Sequence, residues 1–119
     1  RRVEVEEALA EVFAQAIAAG CVLIARRSMG RAIGLLAMVV FPLFYSPRHR
    51  AAMTWSWYVT PLDRSTGVGA ELVRRAEALA KEFGALGLVV TTRSDQPQAK
   101  QSTKALGYSE REVYMFKEF

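Results

Sequence analysis

The stretch TPLDRSTGVGAELVRR, residues 60–75, sets an arginine (Arg64), two hydroxyls (Ser65, Thr66) and two glycines (Gly67, Gly69) just ahead of a run with helical spacing. Bare N–H groups at the mouth of a helix, with a guanidinium beside them, suit an anion. Gly67 and Gly69 would keep side chains out of the approach, Arg64 would add charge, and Ser65 or Thr66 could donate a hydroxyl hydrogen bond. The bland alternative is a tight turn into a helix, with the glycines serving only the backbone.

Three kinds of phosphate loop compete for these residues. A P-loop requires a lysine followed by Ser or Thr after its second glycine, and none stands there. A dinucleotide fingerprint requires Gly or Ala three positions after its second glycine, where this chain has Leu72. What remains is R-x-x-G-x-G-A, formed by Arg64, Gly67, Gly69 and Ala70.

The titratable inventory narrows the chemistry further. Cys21 is the only cysteine and His49 the only histidine among 119 residues. An internal disulfide is excluded, which favours a reducing, cytoplasmic setting, and Cys/His zinc sites are excluded as well. His49, between Arg48 and Arg50 in an expected loop, reads as a solvated residue rather than a catalytic base. The net charge of +4 favours an anionic ligand or partner. Residues 32–45 form the longest apolar stretch, but Pro42 interrupts it and it falls short of the roughly 18 residues of a membrane span. No secretory signal stands at the N-terminus.

The anion loop needs a scaffold, and the spacing of apolar residues supplies one. Val5, Leu9, Val12, Phe13, Ala16 and Ile17 recur at helical intervals, so a helix is expected over residues 5–19, with Gly20 as its C-cap. CVLIARR and RAIGLLAMVVF, separated by SMG, read as a hairpin with Gly30 in the turn. AMTWSWYVT follows as a strand whose Met53, Trp55, Trp57 and Val59 share the buried face. Leu72, Val73, Ala76, Leu79, Ala80 and Phe83 mark the apolar side of a helix that Gly84 or Gly87 ends. LGLVVTTR reads as a strand covered on both faces. Asp95 as N-cap, Pro97 and Gly107 bracket a short helix, and EREVYMFKEF reads as a closing strand. The whole, residues 1–119, is a single α/β (α+β) domain with a mixed sheet.

With a strand before it and an amphipathic helix after it, the loop resembles the acyl-CoA-binding motif of the GNAT superfamily of N-acetyltransferases, V-x-P-x-x-R-x-x-G-x-G. Val59, Pro61, Arg64, Gly67 and Gly69 occupy those positions. LVVTT, QPQAKQSTKALGY and EVYMFKEF continue the likeness, which covers roughly residue 33 to the C-terminus and is similar also to small phage-encoded members. The resemblance implies a mostly antiparallel sheet flanked by helices. Its N-terminal strand is apparently missing here, which would leave residues 21–25 as a sheet edge on which a second copy could dock as a homodimer.

The resemblance also implies acetyl-CoA as co-substrate and a primary amine as acceptor. Cofactor-binding residues would be Val59, Arg64, Ser65, Thr66, Gly67, Val68, Gly69 and Ala70. The fourth strand is expected to splay from the fifth, with the Val59 N–H as oxyanion donor and Tyr58 beside it. Family members commonly carry a Glu on that strand as base, where this chain has Thr54 and Ser56, and a Tyr as acid, where it has Thr103. Tyr58, Tyr108 and Tyr114 are the other phenols that could serve. These departures motivate the alternative of a non-catalytic acyl-CoA-binding or protein-interaction domain. A nucleic-acid module, suggested by the basic charge and by Trp55 and Trp57, is the disfavoured third reading. The acceptor pocket would draw on residues 42–50 and those after Gly107, and nothing in them spells a particular amine.

Overall fold

The computed structural model describes residues 3–9, 19–27, 30–43, 45–93, 95–113 and 115–119, with side chains described from Val22 onward. Among the described residues, five strands form one sheet in chain order: β1 (Val3–Leu9), β2 (Ala19–Arg27), β3 (Ala32–Leu43), β4 (Ser46–Val59) and β5 (Ala85–Val89). The first three pairings are antiparallel and β4–β5 is parallel. Helix α1 (Val68–Glu82) links β4 to β5, and helix α2 (Pro97–Ala105) follows. A parallel neighbour cannot be reached by a tight turn, so the crossover helix is what the β4–β5 pairing demands.

The N-terminal expectation is corrected. Residues 3–9 are a strand in register with β2, from Val3 opposite Arg27 to Leu9 opposite Cys21. In VEVEEAL, Val3, Val5 and Leu9 share one face of a strand with Glu7 among them, while Val5 and Leu9 also fit a period near four, and the neighbouring edge decides between the two. Residues 10–18 of the expected helix lie outside the described residues. The strand thought to be missing is therefore present, Gly20 lies within β2 rather than capping a helix, and residues 21–25 are paired on both sides, so no free edge exists there.

The expected hairpin closes at Gly30, whose N–H donates to the Arg27 carbonyl at 2.7 Å. β3, the central strand, is buried almost throughout, with Ile33, Leu36, Met38 and Val40 in the core. On α1, Val68, Leu72, Val73, Ala76 and Ala80 are buried against them, the face that the helical spacing marks. Gly34 permits this approach, since a Cβ there would lie 3.1 Å from Leu72 Cδ1. Gly84, at φ 79°, is the glycine that follows the helix.

β4 departs from simple alternation. Ser56 pairs with Ala37 and Thr54 with Met38, which leaves Trp55 as an inserted residue, a β-bulge. Ala52 and Thr54 are buried before the bulge, Trp57 and Val59 pack on the core after it, and Trp55 is 61% exposed rather than buried with them. β4 also begins earlier than expected, so His49 lies in a strand, exposed, with its Nδ1 2.6 Å from Ser46 Oγ.

Two expectations near the C-terminus fail. β5 is covered on one face only, leaving Leu86 70% exposed, and residues 110–119 form no strand among those described, with Met115 94% exposed. Apolar alternation marks what a strand would bury, whereas a strand exists only where a neighbouring ladder satisfies its backbone. In α2 the N-cap is Gln96, and Asp95 instead accepts from Arg93 at 2.9 and 3.0 Å.

Candidate functional site

β4 ends where its ladder with β3 ends, at the Thr60 N–H donating to the Ile33 carbonyl at 2.8 Å. Pro61 then opens a single 3-10 turn, Pro61–Asp63, closed by the Asp63 N–H on the Thr60 carbonyl at 2.9 Å. Asp63 is 4% exposed, an unusual state for a carboxylate in a loop read as seeking anions. It accepts from Thr60 Oγ1 at 2.6 Å and from the Arg27 guanidinium, while its backbone carbonyl accepts from the Thr66 hydroxyl. The Thr60 hydroxyl and then Arg27 hold its pKa below the ordinary carboxylate value, against burial, which pulls the other way. Arg27 is therefore tied into the loop, with a quarter of its side chain exposed. Sequence reasoning missed Asp63, whose only signal is an acid inside a basic chain's anion loop.

Beyond Asp63 the chain turns left-handed twice, at Ser65 (φ 69°) and at Gly67 (φ 89°). Gly67 is the N-cap of α1, and no side chain caps that end. The first bond into the helix is the Glu71 N–H on the Gly67 carbonyl at 3.0 Å. The N–H groups of Val68, Gly69 and Ala70 precede it, at the positive end of the helix dipole.

The two glycines do different work. Gly67 is required by its φ, and a Cβ there would meet nothing within 4 Å. Gly69 faces inward: its Cβ would lie 3.3 Å from Trp57 Cζ2 and 3.6 Å from Val59 Cγ2. It serves the close approach of helix to sheet and does not clear the outer face, which corrects the reading of both glycines as an opening for a ligand.

Beside the loop the sheet forks. β4 and β5 pair only as far as Met53 opposite Val89, and β4 continues to Val59 paired with β3 alone. Thr54, buried at the apex, accepts from the Thr91 N–H at 2.9 Å and lies 3.2 Å from the Thr91 hydroxyl. The position where a base was expected thus ties the two diverging strands together. At the open end, the Thr60 N–H faces β3, so by strand alternation the N–H and carbonyl of Val59 lie on the opposite edge, toward the fork. The Val59 carbonyl accepts from Arg64 Nε at 2.9 Å, and the Arg64 guanidinium stands 5.3 Å from the centre of the exposed Tyr58 ring. Val59, Tyr58 and Arg64 are brought together.

Thr103 is engaged within its own helix. It is buried in α2, where its hydroxyl donates to the Ala99 carbonyl at 2.7 Å. The Tyr108 hydroxyl is buried too, and burial, followed by the Glu77 carboxylate, raises its pKa, so it gives up a proton reluctantly. Glu77 lies about 14 Å along the helix axis from the N-terminal turn, at 1.5 Å per residue. Tyr114 lies outside the described residues. Among those described, no three His, Cys, Asp or Glu side chains gather as a metal site, and no helix is long and apolar enough to cross a membrane.

A family model described as the acetyltransferase (GNAT) family matches residues 2–108. No match was found among curated proteins. Among solved structures, a Pyrococcus furiosus protein assigned to the acetyl transferases superposes with a TM-score of 0.75 at 24% identity, over 92% of this chain and 71% of its own. An aminoglycoside acetyltransferase from an uncultured soil metagenomic sample, solved with sisomicin, gives 0.78 at 14% identity over 98% and 96%. An acetyltransferase of Trypanosoma brucei gives 0.77 at 14% over 99% and 100%. At these identities the superpositions establish the shared fold.

Proposed function

The chain belongs to the acetyltransferase (GNAT) family, and on that premise we propose that it transfers an acetyl group from acetyl-CoA to a primary amine. The observation that carries the reading is the uncapped N-terminus of α1, with three N–H groups following the left-handed Ser65 and Gly67 and with Arg64 beside the fork. These residues fit a pyrophosphate, whose dispersed negative charge is matched by backbone N–H groups and a helix dipole. Val68, Gly69 and Ala70 would hold it, with the Ser65 hydroxyl available as a donor. The Thr66 hydroxyl is committed to the Asp63 carbonyl and contributes by shaping the loop.

Bound acetyl-CoA supplies an acyl thioester. The Val59 N–H, on the fork side of β4, is the donor for the thioester oxygen as charge develops there. Tyr58 and Arg64 flank it. The amine nitrogen bonds to the carbonyl carbon, the carbon–sulfur bond breaks with its electrons going to sulfur, and the amine loses a proton to solvent. A thiol with a pKa near 8.5 leaves as thiolate with little help. This reading assigns no acid role to Thr103, because its proton is engaged by Ala99.

A second reading, a non-catalytic acyl-CoA-binding or interaction domain, draws on two observations. The hydroxyls of Thr54 and Thr103, at the positions of the family's common base and acid, are both bonded within the fold. One experiment addresses both readings. Thermal unfolding with acetyl-CoA, against ATP as a control anion, is expected to show a saturable shift specific to acetyl-CoA. At about 100 times the dissociation constant it should amount to roughly 2.7 kcal/mol, or about ten degrees. A panel of amino acids, polyamines and aminoglycosides then separates transfer from binding alone. An equal shift with ATP would remove both readings.

A further inference from the structure

The loop carries a carboxylate where an anion is to bind, and the chain has gone to some length to turn it inward. Every polar group of Asp63 is used within the fold: its N–H by Thr60, its carbonyl by Thr66, its carboxylate by Thr60 Oγ1 and Arg27. Arg27 comes from the far end of β2, 36 residues earlier, and reaches past β3 to do this. Two residues beyond Asp63, Ser65 holds a left-handed φ that side chains other than glycine rarely adopt. Such a conformation persists only where its surroundings fix it. The fixed point on its N-terminal side is Asp63.

We propose that the Arg27–Asp63 ion pair, with Thr60, is a latch that holds the 60–67 loop in the conformation that binds the CoA pyrophosphate, so that Arg27 and Asp63 are positioning residues for the anion. This rests on the acyl-CoA reading above. Arg27 neutralises the carboxylate from a half-buried position, and removing Arg27 leaves the buried Asp63 carboxylate without its counterpart. The pyrophosphate then meets a preformed set of N–H groups and does not have to order the loop itself.

The latch predicts a sign that simple charge does not. Asp63→Asn removes a negative charge near an anion site and by Coulomb attraction alone should tighten binding. If Asp63 is the latch, the same change weakens acetyl-CoA binding by about tenfold. S-Acetylpantetheine, which lacks the pyrophosphate, should bind the variant as it binds the parent, whereas general loosening of the fold would weaken both. Arg27→Ala should behave as Asp63→Asn does, and Arg27→Lys should recover part of the loss.

Titration calorimetry of the parent and these variants with acetyl-CoA and S-acetylpantetheine decides the matter, with far-ultraviolet circular dichroism to confirm folding. Thr60→Val, which removes one bond to Asp63 without changing charge, serves if the charged variants do not fold, and it should bind acetyl-CoA several-fold more weakly. Unchanged or tighter acetyl-CoA binding by Asp63→Asn or Thr60→Val would overturn the latch while leaving the acyl-CoA reading intact. A parent protein that binds neither compound would overturn that reading itself.

Discussion

Gly69 and Trp57 are packed so closely that a single methyl group on the glycine would lie 3.3 Å from the indole Cζ2. The first turn of α1 is therefore seated directly on β4, and its free N–H groups take their position from a sheet aromatic.

Gly69→Ala should accordingly destabilise the protein by about 1–3 kcal/mol through overpacking. Gly67→Ala should cost about 1–2 kcal/mol by a different route, the left-handed backbone, with open space around the new methyl. Urea unfolding measures both. Their crystal structures would differ, with Trp57 displaced only in Gly69→Ala.

Thr54→Val keeps shape at the apex of the fork and removes the acceptor for the Thr91 N–H. The expected cost is about 1–3 kcal/mol, that of a stranded polar group. Hydrogen exchange at the Thr91 amide should accelerate, and an unchanged rate would show that the hydroxyl does not hold the strands together.

Asp63 gives the protein an acid-sensitive element. Its folded pKa lies below the unfolded value, so the stabilisation is complete above the ordinary carboxylate range near pH 4 and is lost as pH falls through the folded value. Urea midpoints measured from pH 7 down to pH 3 should fall more steeply for the parent than for Asp63→Asn. The gap between the two curves should narrow toward the acid end.

If transfer proceeds without a carboxylate base, kcat/KM for an amine acceptor follows its unprotonated fraction. For a lysine-like amine with a pKa near 10.4, the rate should rise about tenfold per pH unit from pH 6 to 9. A plateau near pH 7 would instead reveal a base within the site.

Leu72 tests the seat of α1 on β3. It is fully buried beneath Gly34, and Leu72→Ala should cost about 2–5 kcal/mol in urea unfolding.

Legibility in the sequence followed the range of the interaction. The face Leu72, Val73, Ala76 and Ala80 was readable because helical periodicity is local, and so were the Gly30 turn and the strand–loop–helix around Gly67. VEVEEAL is ambiguous on its own, since Val5 and Leu9 fit a helix and Val3, Val5 and Leu9 a strand, and only the neighbour β2 chooses between them. The exposure of Trp55 is not legible from alternation, because an inserted residue is a property of register with β3, invisible in one strand alone. The Arg27–Asp63 pair spans 36 residues and left no local trace. The closing segment EREVYMFKEF alternates as a strand does, yet alternation supplies no partner.

That same 36-residue span bears on the order of events during folding. Helix α1 can form from local contacts, but the Arg27–Asp63 contact closes only after β2, β3 and β4 have come into register. On the latch reading proposed above, acyl-CoA capture would thus be acquired only once the sheet is in register.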